Sequence, residues 1–320
     1  MAAAILRNYI FEVAVMGDLK VINFMRLRSL ASVLSLILMV GSLATLLTKG
    51  INWGLDFTGG TLIELVYDKP VKTADIREQL AAEGYDNVVV QEFGSAEDIL
   101  VRIPGDDPKL GATVSNLLGQ NYEGKVEAVR VEFVGPQVGD RLRDQGGLGM
   151  LFAMVLITLY IAFRFQFKFS VGAILSLAHD VIFTLGLFSF LQLQFDLTVL
   201  AALLAVIGYS LNDTIIVYDR IRENFRKLRK GDAIEVINVS LTQTLGRTLA
   251  TSGTTLMVLL SLFLFGGEMI HNFAMALIVG VGIGTYSSIY IASNMLVYMK
   301  ISREDLIVPV KENEELDQIP

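Results

Sequence analysis

The sequence contains no cysteine, and it has only two histidines among its 320 residues. The absence of cysteine excludes disulfide bonds and thiolate metal sites, and His179 and His271 are too far apart in sequence to suggest a metal centre. The sequence also lacks the Gly-x-x-x-x-Gly-Lys-Ser/Thr phosphate loop and the Gly-x-Ser-x-Gly elbow. We therefore predict no ATP hydrolysis, no catalytic residues, no metal and no other cofactor: the protein is not expected to be an enzyme.

Charge is also scarce. Only 18% of the residues are charged, whereas 53% are hydrophobic and the mean hydropathy is +0.55. A soluble domain has about a quarter of its residues charged, so this composition favours a membrane protein. The net charge of −7 does not decide the orientation, which follows Lys and Arg in short loops.

Six apolar runs are long enough to cross ~30 Å of hydrocarbon. The predicted membrane helices are 29–48, 146–163, 169–190, 197–218, 247–265 and 273–299. The first is too long for a signal peptide and no clear cleavage site follows it, so we expect it to be retained. Lys and Arg fall in alternate loops, including a basic loop at 219–246, which predicts cytoplasmic termini and an external segment at 49–145.

The segments outside the apolar runs differ in character. Residues 1–28 fit either an amphipathic helix on the cytoplasmic membrane surface or a partly ordered tail, and the acidic end of 300–320 fits a disordered tail. Residues 49–145 alternate between strand and helix patterns in the order βαββαβ. This order predicts a ferredoxin-like α+β domain inserted between the first two membrane helices, and the segment is long enough to bury its own core.

Two opposite charges are predicted at one depth in the membrane. Asp213 lies ~24 Å and Arg247 ~27 Å from the outer ends of their helices, at ~1.5 Å per residue. An ionisable side chain inside a membrane helix costs several kcal/mol, which makes Asp213 a functional-site hypothesis. The two residues could pair in a proton relay, or Arg247 could extend to the cytoplasmic interface and pair with nothing.

A second carboxylate, Asp180, lies near the midplane of the third helix, with Ser176 and Thr184 on the same face. It either carries protons or makes a hydrogen bond that fixes helix packing. His179 is predicted to point about 100° away, so we expect no His–Asp dyad and assign His179 to packing.

Small and hydroxyl-bearing residues are frequent in the last two helices. Gly280 and Gly284 are predicted to allow close contact between helices. The hydroxyl groups of the fifth helix could line a wet path or serve ordinary packing; they belong to Thr248, Thr251, Ser252, Thr254 and Thr255.

Five stretches carry a resemblance to a known family. They are GLDFTGG (54–60), VGPQVG (134–139), LAHDVIFTLGLF (177–188), IGYSLNDTIIVYDRIREN (207–224) and GRTLATSGTTL (246–256). In this order they resemble the SecF family of protein-export membrane proteins, over nearly the whole chain between its tails. The related SecD proteins have Asp-Ala-Asn where this chain has Asn212, Asp213 and Thr214, and a much larger outer domain.

The resemblance implies a six-helix half of a twelve-helix bundle in the RND transporter superfamily, in the bacterial inner membrane. SecD would supply the other half in trans, since this chain has no SecD part. The implied function is to use protons flowing down their gradient to help pull unfolded preproteins through the SecYEG translocon. Asp213 and Arg247 match the family's charged residues for proton passage, and Asp180 falls in a family-typical stretch. No nucleic acid is among the expected partners.

The two glycine-rich motifs flank the outer segment where the chain meets the membrane. Their residues are predicted either to form hinges for a moving outer domain or only to make tight turns. They are Gly54, Asp56, Gly59, Gly60, Gly135, Pro136 and Gly139.

Two alternatives to proton-driven protein export remain open. The chain could be half of an RND-type exporter for small molecules or lipids, although its outer domain is small and has no evident apolar insert. It could instead be a structural assembly subunit whose buried charges only hold helices together.

Overall fold

The computed structural model describes residues 21–85, 88–228 and 231–306; most of the segment 1–28 and the acidic part of 300–320 lie outside the described residues. The helices are α1 (Arg28–Thr48), α2 (Leu55–Thr58), α3 (Thr73–Ala82), α4 (Leu110–Gln120), α5 (Pro136–Arg164), α6 (Phe167–Leu191), α7 (Leu197–Lys227), α8 (Ala233–Phe265), α9 (Glu268–Ser287) and α10 (Ser293–Tyr298). The strands are β1 (Asn52–Trp53), β2 (Gly60–Tyr67), β3 (Val89–Phe93), β4 (Ser95–Ile103), β5 (Val126–Val134) and β6 (Gln194–Phe195).

Six helical segments of the described chain are long and apolar enough to cross a membrane. Five of them are α1, α5, α6, α7 and α8. The sixth consists of α9, a π-helical turn at Ser288–Ala292 and α10, which follow one another without a break. The protein is therefore a multi-pass membrane protein, and the predicted number of membrane helices is confirmed.

α7 continues to Lys227 and α8 begins at Ala233, so most of the segment predicted as a basic loop at 219–246 is helical. The charged residues support the longer helix. Glu223 lies one turn from both Arg220 and Lys227, with nitrogen–oxygen distances of 2.9 and 2.8 Å. Asp232 then starts α8 by accepting a hydrogen bond from the Glu235 backbone in a capping box.

The start of the second membrane helix also differs from the prediction. α5 begins at Pro136, well before residue 146, so one continuous helix leaves the outer segment and enters the apolar run. Proline is favoured in the first turn because its missing N–H has no helical partner there.

The segment between α1 and α5, which we call the outer segment after its predicted location, forms a four-stranded antiparallel sheet with the strand order β3-β4-β2-β5. In the central strand β2, Ile63 lies opposite Val101 on β4 and Val131 on β5. Helices α3 and α4 contribute to one apolar core with the sheet, which contains Ile63, Leu65, Ile76, Leu80, Ile99, Val101, Val114 and Leu118. The described residues of this core include none from the six membrane-spanning helices, and we call the part of the chain that forms it the outer domain.

Candidate functional site

Asp180 lies at the centre of a buried polar cluster that joins α6, α7 and α9. Its side chain is 0% exposed. The Oδ2 atom accepts hydrogen bonds from Ser210 on α7 at 2.5 Å and from Ser287 on α9 at 2.7 Å. Ser176, one turn earlier on α6, donates to the Ser287 hydroxyl at 2.9 Å. The carboxyl group of Asp180 therefore connects three membrane helices.

His179 belongs to the same cluster, so the prediction that His179 and Asp180 form no dyad is wrong. The Nδ1 atom of His179 lies 3.0 Å from Asp180 Oδ1, and the imidazole is 4% exposed. The prediction used only the rotation of about 100° between adjacent positions of a helix. Side-chain rotation beyond Cβ brings the two groups together despite this angle.

Asp213 forms a second buried cluster, almost one turn after Ser210 on α7. Its side chain is 1% exposed, and Oδ2 accepts a hydrogen bond from Ser252 on α8 at 3.4 Å. Ser252 in turn bonds to Thr285 on α9 at 2.8 Å. Asp213 Oδ1 is buried without a hydrogen-bond partner in the described part of the chain. Buried polar atoms are normally hydrogen-bonded, so this oxygen distinguishes Asp213 from Asp180, both of whose carboxyl oxygens have partners.

The hydroxyl groups of α8 take different roles that sequence spacing did not distinguish. Ser252 contacts the Asp213 carboxyl group, whereas Thr251 and Thr254 donate to carbonyl oxygens of their own helix. The Thr248 hydroxyl is buried and has no partner within the described ranges. Ser252 is therefore the hydroxyl of this row that contacts Asp213. The unpaired hydroxyl of Thr248 lies one turn before Ser252 on α8.

Arg247 and Asp213 lie on adjacent helices without direct contact. Arg247 is exposed on α8, and no ion pair joins it to Asp213 within residues 21–85, 88–228 and 231–306. Of the three predicted relay residues, the structure therefore buries Asp180 and Asp213 and leaves Arg247 on the surface of the bundle.

Gly280 and Gly284 set the distance between α9 and α7. A Cβ atom on Gly280 would lie 2.1 Å from Val206 Cγ2, and one on Gly284 would lie 3.1 Å from Ser210 Cβ. Real Cβ atoms do not approach other atoms as closely as the first value. The close approach lets Ser287 on α9 reach Asp180, which agrees with the predicted packing role.

The motif GLDFTGG joins the outer domain to the helix that carries Asp213. The Gly54 N–H donates to the Phe195 carbonyl at 2.7 Å, beside the parallel pairing of β1 with β6. The Asp56 Oδ2 atom accepts a hydrogen bond from the Leu197 N–H at 2.9 Å and so caps the first turn of α7. Asp56 thus links the motif directly to α7.

The same motif also packs against the start of α5. Gly59 and Gly60 have φ angles of 67° and 116°, which L-residues rarely adopt. A Cβ atom on Gly59 would lie 2.7 Å from Pro136 Cα, and one on Gly139 would lie 2.9 Å from the Gly59 nitrogen. Gly135 is the N-cap residue of α5. The two motifs therefore form one tightly packed junction between the outer domain, α5 and α7.

A cleft of about 470 Å³ separates the sheet from the beginning of α9. Glu64 and Asp98 contribute acidic groups to its lining, Arg130 contributes a basic group, and Val129 and Met269 face it from the sheet and from α9. Within the described residues, no group of three His, Asp or Glu side chains is arranged to hold a metal ion.

Two family models match the sequence. The model of the C-terminal region of the protein export membrane proteins SecD/SecF matches residues 114–302, and the SecD/SecF GG motif matches residues 44–71. The protein translocase subunit SecF of Pseudomonas aeruginosa is 57% identical over 289 residues, which cover 90% of this chain and 94% of that protein. The SecF subunit of Vibrio alginolyticus is 51% identical and covers 94% of this chain and 98% of its own length.

The fold is similar to a crystal structure of SecDF, described as a translocon-associated membrane protein, from Thermus thermophilus. The TM-score is 0.80 at 38% sequence identity, and the match covers 87% of this chain and 38% of the solved SecDF chain. A second SecDF structure, in a super-membrane-facing form, matches with a TM-score of 0.66. Because one family model spans more than half of the sequence and its relatives match over about nine tenths of it, the chain belongs to the SecF family of protein translocase subunits.

Proposed function

We propose that this SecF-family chain uses the proton motive force, together with a SecD partner, to help drive unfolded preproteins through the SecYEG translocon. The observation that carries the proposal is the burial of two carboxyl groups in the membrane bundle, one of which has an oxygen without a partner in the described chain. Ionisable groups inside membrane helices are costly and mark ion pathways. Carboxyl groups can bind and release protons, which suits a proton-driven machine.

In this proposal, Asp213 is the proton-binding group, and Asp180 connects it to the rest of the bundle. Ser210 and Ser287 bond to Asp180, and Thr285 bonds to Ser252, which contacts Asp213. Hydroxyl groups both donate and accept hydrogen bonds, so they can pass protons along a chain. Arg247 supplies a positive charge that attracts Asp213 whenever Asp213 is ionised.

A SecD partner would cover the polar surface that α7 and α8 expose at membrane depth. Asn212 and Arg247 are exposed there, and Ala205 and Gly208 form a small-residue strip on the same side of α7 as Asn212. Polar side chains facing lipid are unfavourable, whereas small residues allow a second helix to approach closely. This combination suits contact with another membrane protein better than contact with lipid.

We further propose that the chain lies in the bacterial inner membrane with both termini in the cytoplasm and the domain within 49–145 in the periplasm. The alternation of basic loops supports this orientation. The βαββαβ order and the strand order β3-β4-β2-β5 support a ferredoxin-like fold for the domain.

The outer domain would move with α7, because Asp56 ties the motif before β2 to the first turn of that helix. A short bifunctional maleimide between cysteines placed at Val129 and Met269 would span the cleft under the sheet. The native chain has no cysteine, so the label would be confined to these two positions. We expect gradient-dependent export to stop in the cross-linked double variant and to continue in each labelled single variant. Normal export by the cross-linked protein would show that the domain does not need to move.

The structural-subunit alternative is favoured by one observation: Asp180 bonds to two serines on two other helices, as a packing residue would. The alternative of a small-molecule or lipid exporter has less support, because the cleft under the sheet is open and lined by charged groups. Both alternatives predict that a proton gradient has no effect on preprotein export.

Vesicles containing SecYEG, the SecD partner and this chain test the proposal. We expect a proton gradient to accelerate preprotein export after the ATP-driven stage, and a protonophore to remove the acceleration. Vesicles without this chain are the control. If the gradient accelerated export equally in the control, this chain would not be the gradient-dependent component.

A further inference from the structure

A row of polar groups runs between α1 and the helix formed by α9, the π-helical turn and α10. Asn294 donates to the Ser32 hydroxyl at 2.7 Å and lies near the first turn of α1, since it also contacts the Arg28 carbonyl at 3.4 Å. Farther along α1, the hydroxyl groups of Ser35 and Tyr286 are 2.9 Å apart. We call Ser32, Ser35, Tyr286 and Asn294 the polar seam.

His179 lies between the polar seam and Asp180. Its ring centroid is 6.4 Å from that of Tyr286, and its Nδ1 atom is 3.0 Å from Asp180 Oδ1. The other ring nitrogen, Nε2, is buried and has no hydrogen-bond partner among the described residues. The Asn294 Oδ1 atom in the seam is also buried without a partner there. Buried polar atoms are normally paired, and both of these atoms can accept a hydrogen bond.

The titratable neighbours of His179 are few. Asp180 is on its own helix, Asp213 is on α7, and Tyr286 and Tyr290 are in the sixth membrane span. Helix α1 has no ionisable side chain between Arg28 and Lys49, and α5 has only Tyr160 between Asp144 and Arg164. The imidazole is therefore the basic group closest to Asp180 in this part of the bundle.

We propose that His179 passes protons between Asp180 and the cytoplasmic side through the polar seam, an inference that rests on the proposed proton-driven function. When Asp180 is ionised, Nδ1 donates its hydrogen to Asp180 Oδ1, and Nε2 carries a free lone pair. A proton arriving from water in the seam binds to Nε2, and the proton on Nδ1 moves to Asp180. The result is a protonated carboxyl group and a neutral imidazole with its proton on Nε2. The reverse steps return the proton to the seam.

Histidine suits this role because its side chain gains and loses a proton near neutral pH. A packing role for His179 needs only the ring shape and one hydrogen bond to Asp180, and it makes no use of Nε2. The two roles therefore differ in what happens when the ring is replaced.

The test replaces His179 by Ala or by Gln in the complete complex and measures gradient-dependent export with added imidazole. We expect His179→Ala to reduce the gradient-dependent rate at least tenfold and imidazole to restore a substantial part of it. His179→Gln supplies an amide group that can donate a hydrogen bond but cannot exchange protons, so it should remain inactive. Tyr286→Phe keeps the ring and removes the seam hydroxyl, and it should lower the rate severalfold. His271→Ala is the matched control, since His271 lies near the beginning of α9 and its ring contacts Phe263 on α8.

Infrared spectroscopy supplies a measurement that does not depend on export. The carboxyl band of Asp180 is the one that disappears in Asp180→Asn. The pH at which this band changes should shift when His179 is replaced by Gln. Full gradient-dependent export by His179→Gln, or an unchanged Asp180 band, would overturn the proposal. An Asp213→Asn variant measured in parallel separates failure of the His179 proposal from failure of the proposed function. If Asp213→Asn also exported preprotein normally, the proposed proton-driven function itself would fail.

Discussion

Replacing Asp213 by Asn should reduce preprotein export to the rate measured without a proton gradient. Asn has nearly the shape of Asp and can still accept the hydrogen bond from Ser252. It cannot bind and release a proton at physiological pH. The variant should therefore fold and associate with its partner, and only the gradient-dependent part of export should be lost. Export rates in vesicles with and without a gradient, together with co-purification of the partner, measure the two properties separately.

Asp144→Asn is the matched control for Asp213→Asn. Asp144 is also a carboxylate on a membrane-spanning helix, but it is exposed near the outer end of α5. Its replacement should leave gradient-dependent export unchanged. Normal gradient-dependent export by Asp213→Asn would rule out the relay role. A folded variant that no longer bound its partner would instead support the structural-subunit alternative.

Replacing Gly280 by Ala should destabilise the bundle by about 1–3 kcal/mol, the usual cost of overpacking a well-packed interior. The new Cβ atom would lie 2.1 Å from Val206 Cγ2, so α9 would have to move away from α7. This movement would also lengthen the hydrogen bond from Ser287 to Asp180. We expect a lower melting temperature in detergent and a smaller gradient-dependent export rate.

Gly282→Ala provides a control on the same helix, because a Cβ atom there would meet no atom within 4 Å. Alanine also has a higher helix propensity than glycine, so this variant should be as stable as the native protein or slightly more stable. Combining Gly280→Ala with Val206→Ala removes the clashing methyl groups and should recover part of the stability. Equal melting temperatures for Gly280→Ala and Gly282→Ala would contradict the packing role of Gly280.

Hydropathy was sufficient to predict the number of membrane helices, and alternation predicted strands between the first two. Hydropathy misplaced the helix ends where charged residues were taken to end a helix. α7 and α8 continue through the segment predicted as a basic loop, because Glu223 pairs with basic residues one turn away and Asp232 caps α8. The ends of the two helices also bury Phe225, Val236 and Ile237 in an apolar cluster. These contacts depend on tertiary packing, which a hydropathy window does not contain.

The candidate site was predicted in part. A carboxylate in an apolar run is conspicuous, so Asp180 and Asp213 could be found from sequence, and both are buried. Their partners could not be found in this way, because hydroxyl groups are common in membrane helices and only the approach of α9 to α7 selects Ser287 and Thr285. The contact of His179 with Asp180 depends on side-chain rotation, which helical periodicity does not describe.

The π-helical turn at Ser288–Ala292 lies between Tyr286 and Asn294, which both contact α1. A π turn contains one more residue than an α turn, so the residues after it are rotated by about 100° relative to an uninterrupted α-helix. Before the turn, Ser287 faces Asp180, and after it Asn294 faces Ser32 on α1. The Tyr218 hydroxyl donates to the Ala292 carbonyl at 3.0 Å and holds the turn in place from α7. Conversion of this turn to α-helical hydrogen bonding would rotate Asn294 away from α1 without breaking the helix. Such a change of helical register could open or close the connection between the polar seam and the Asp180 cluster.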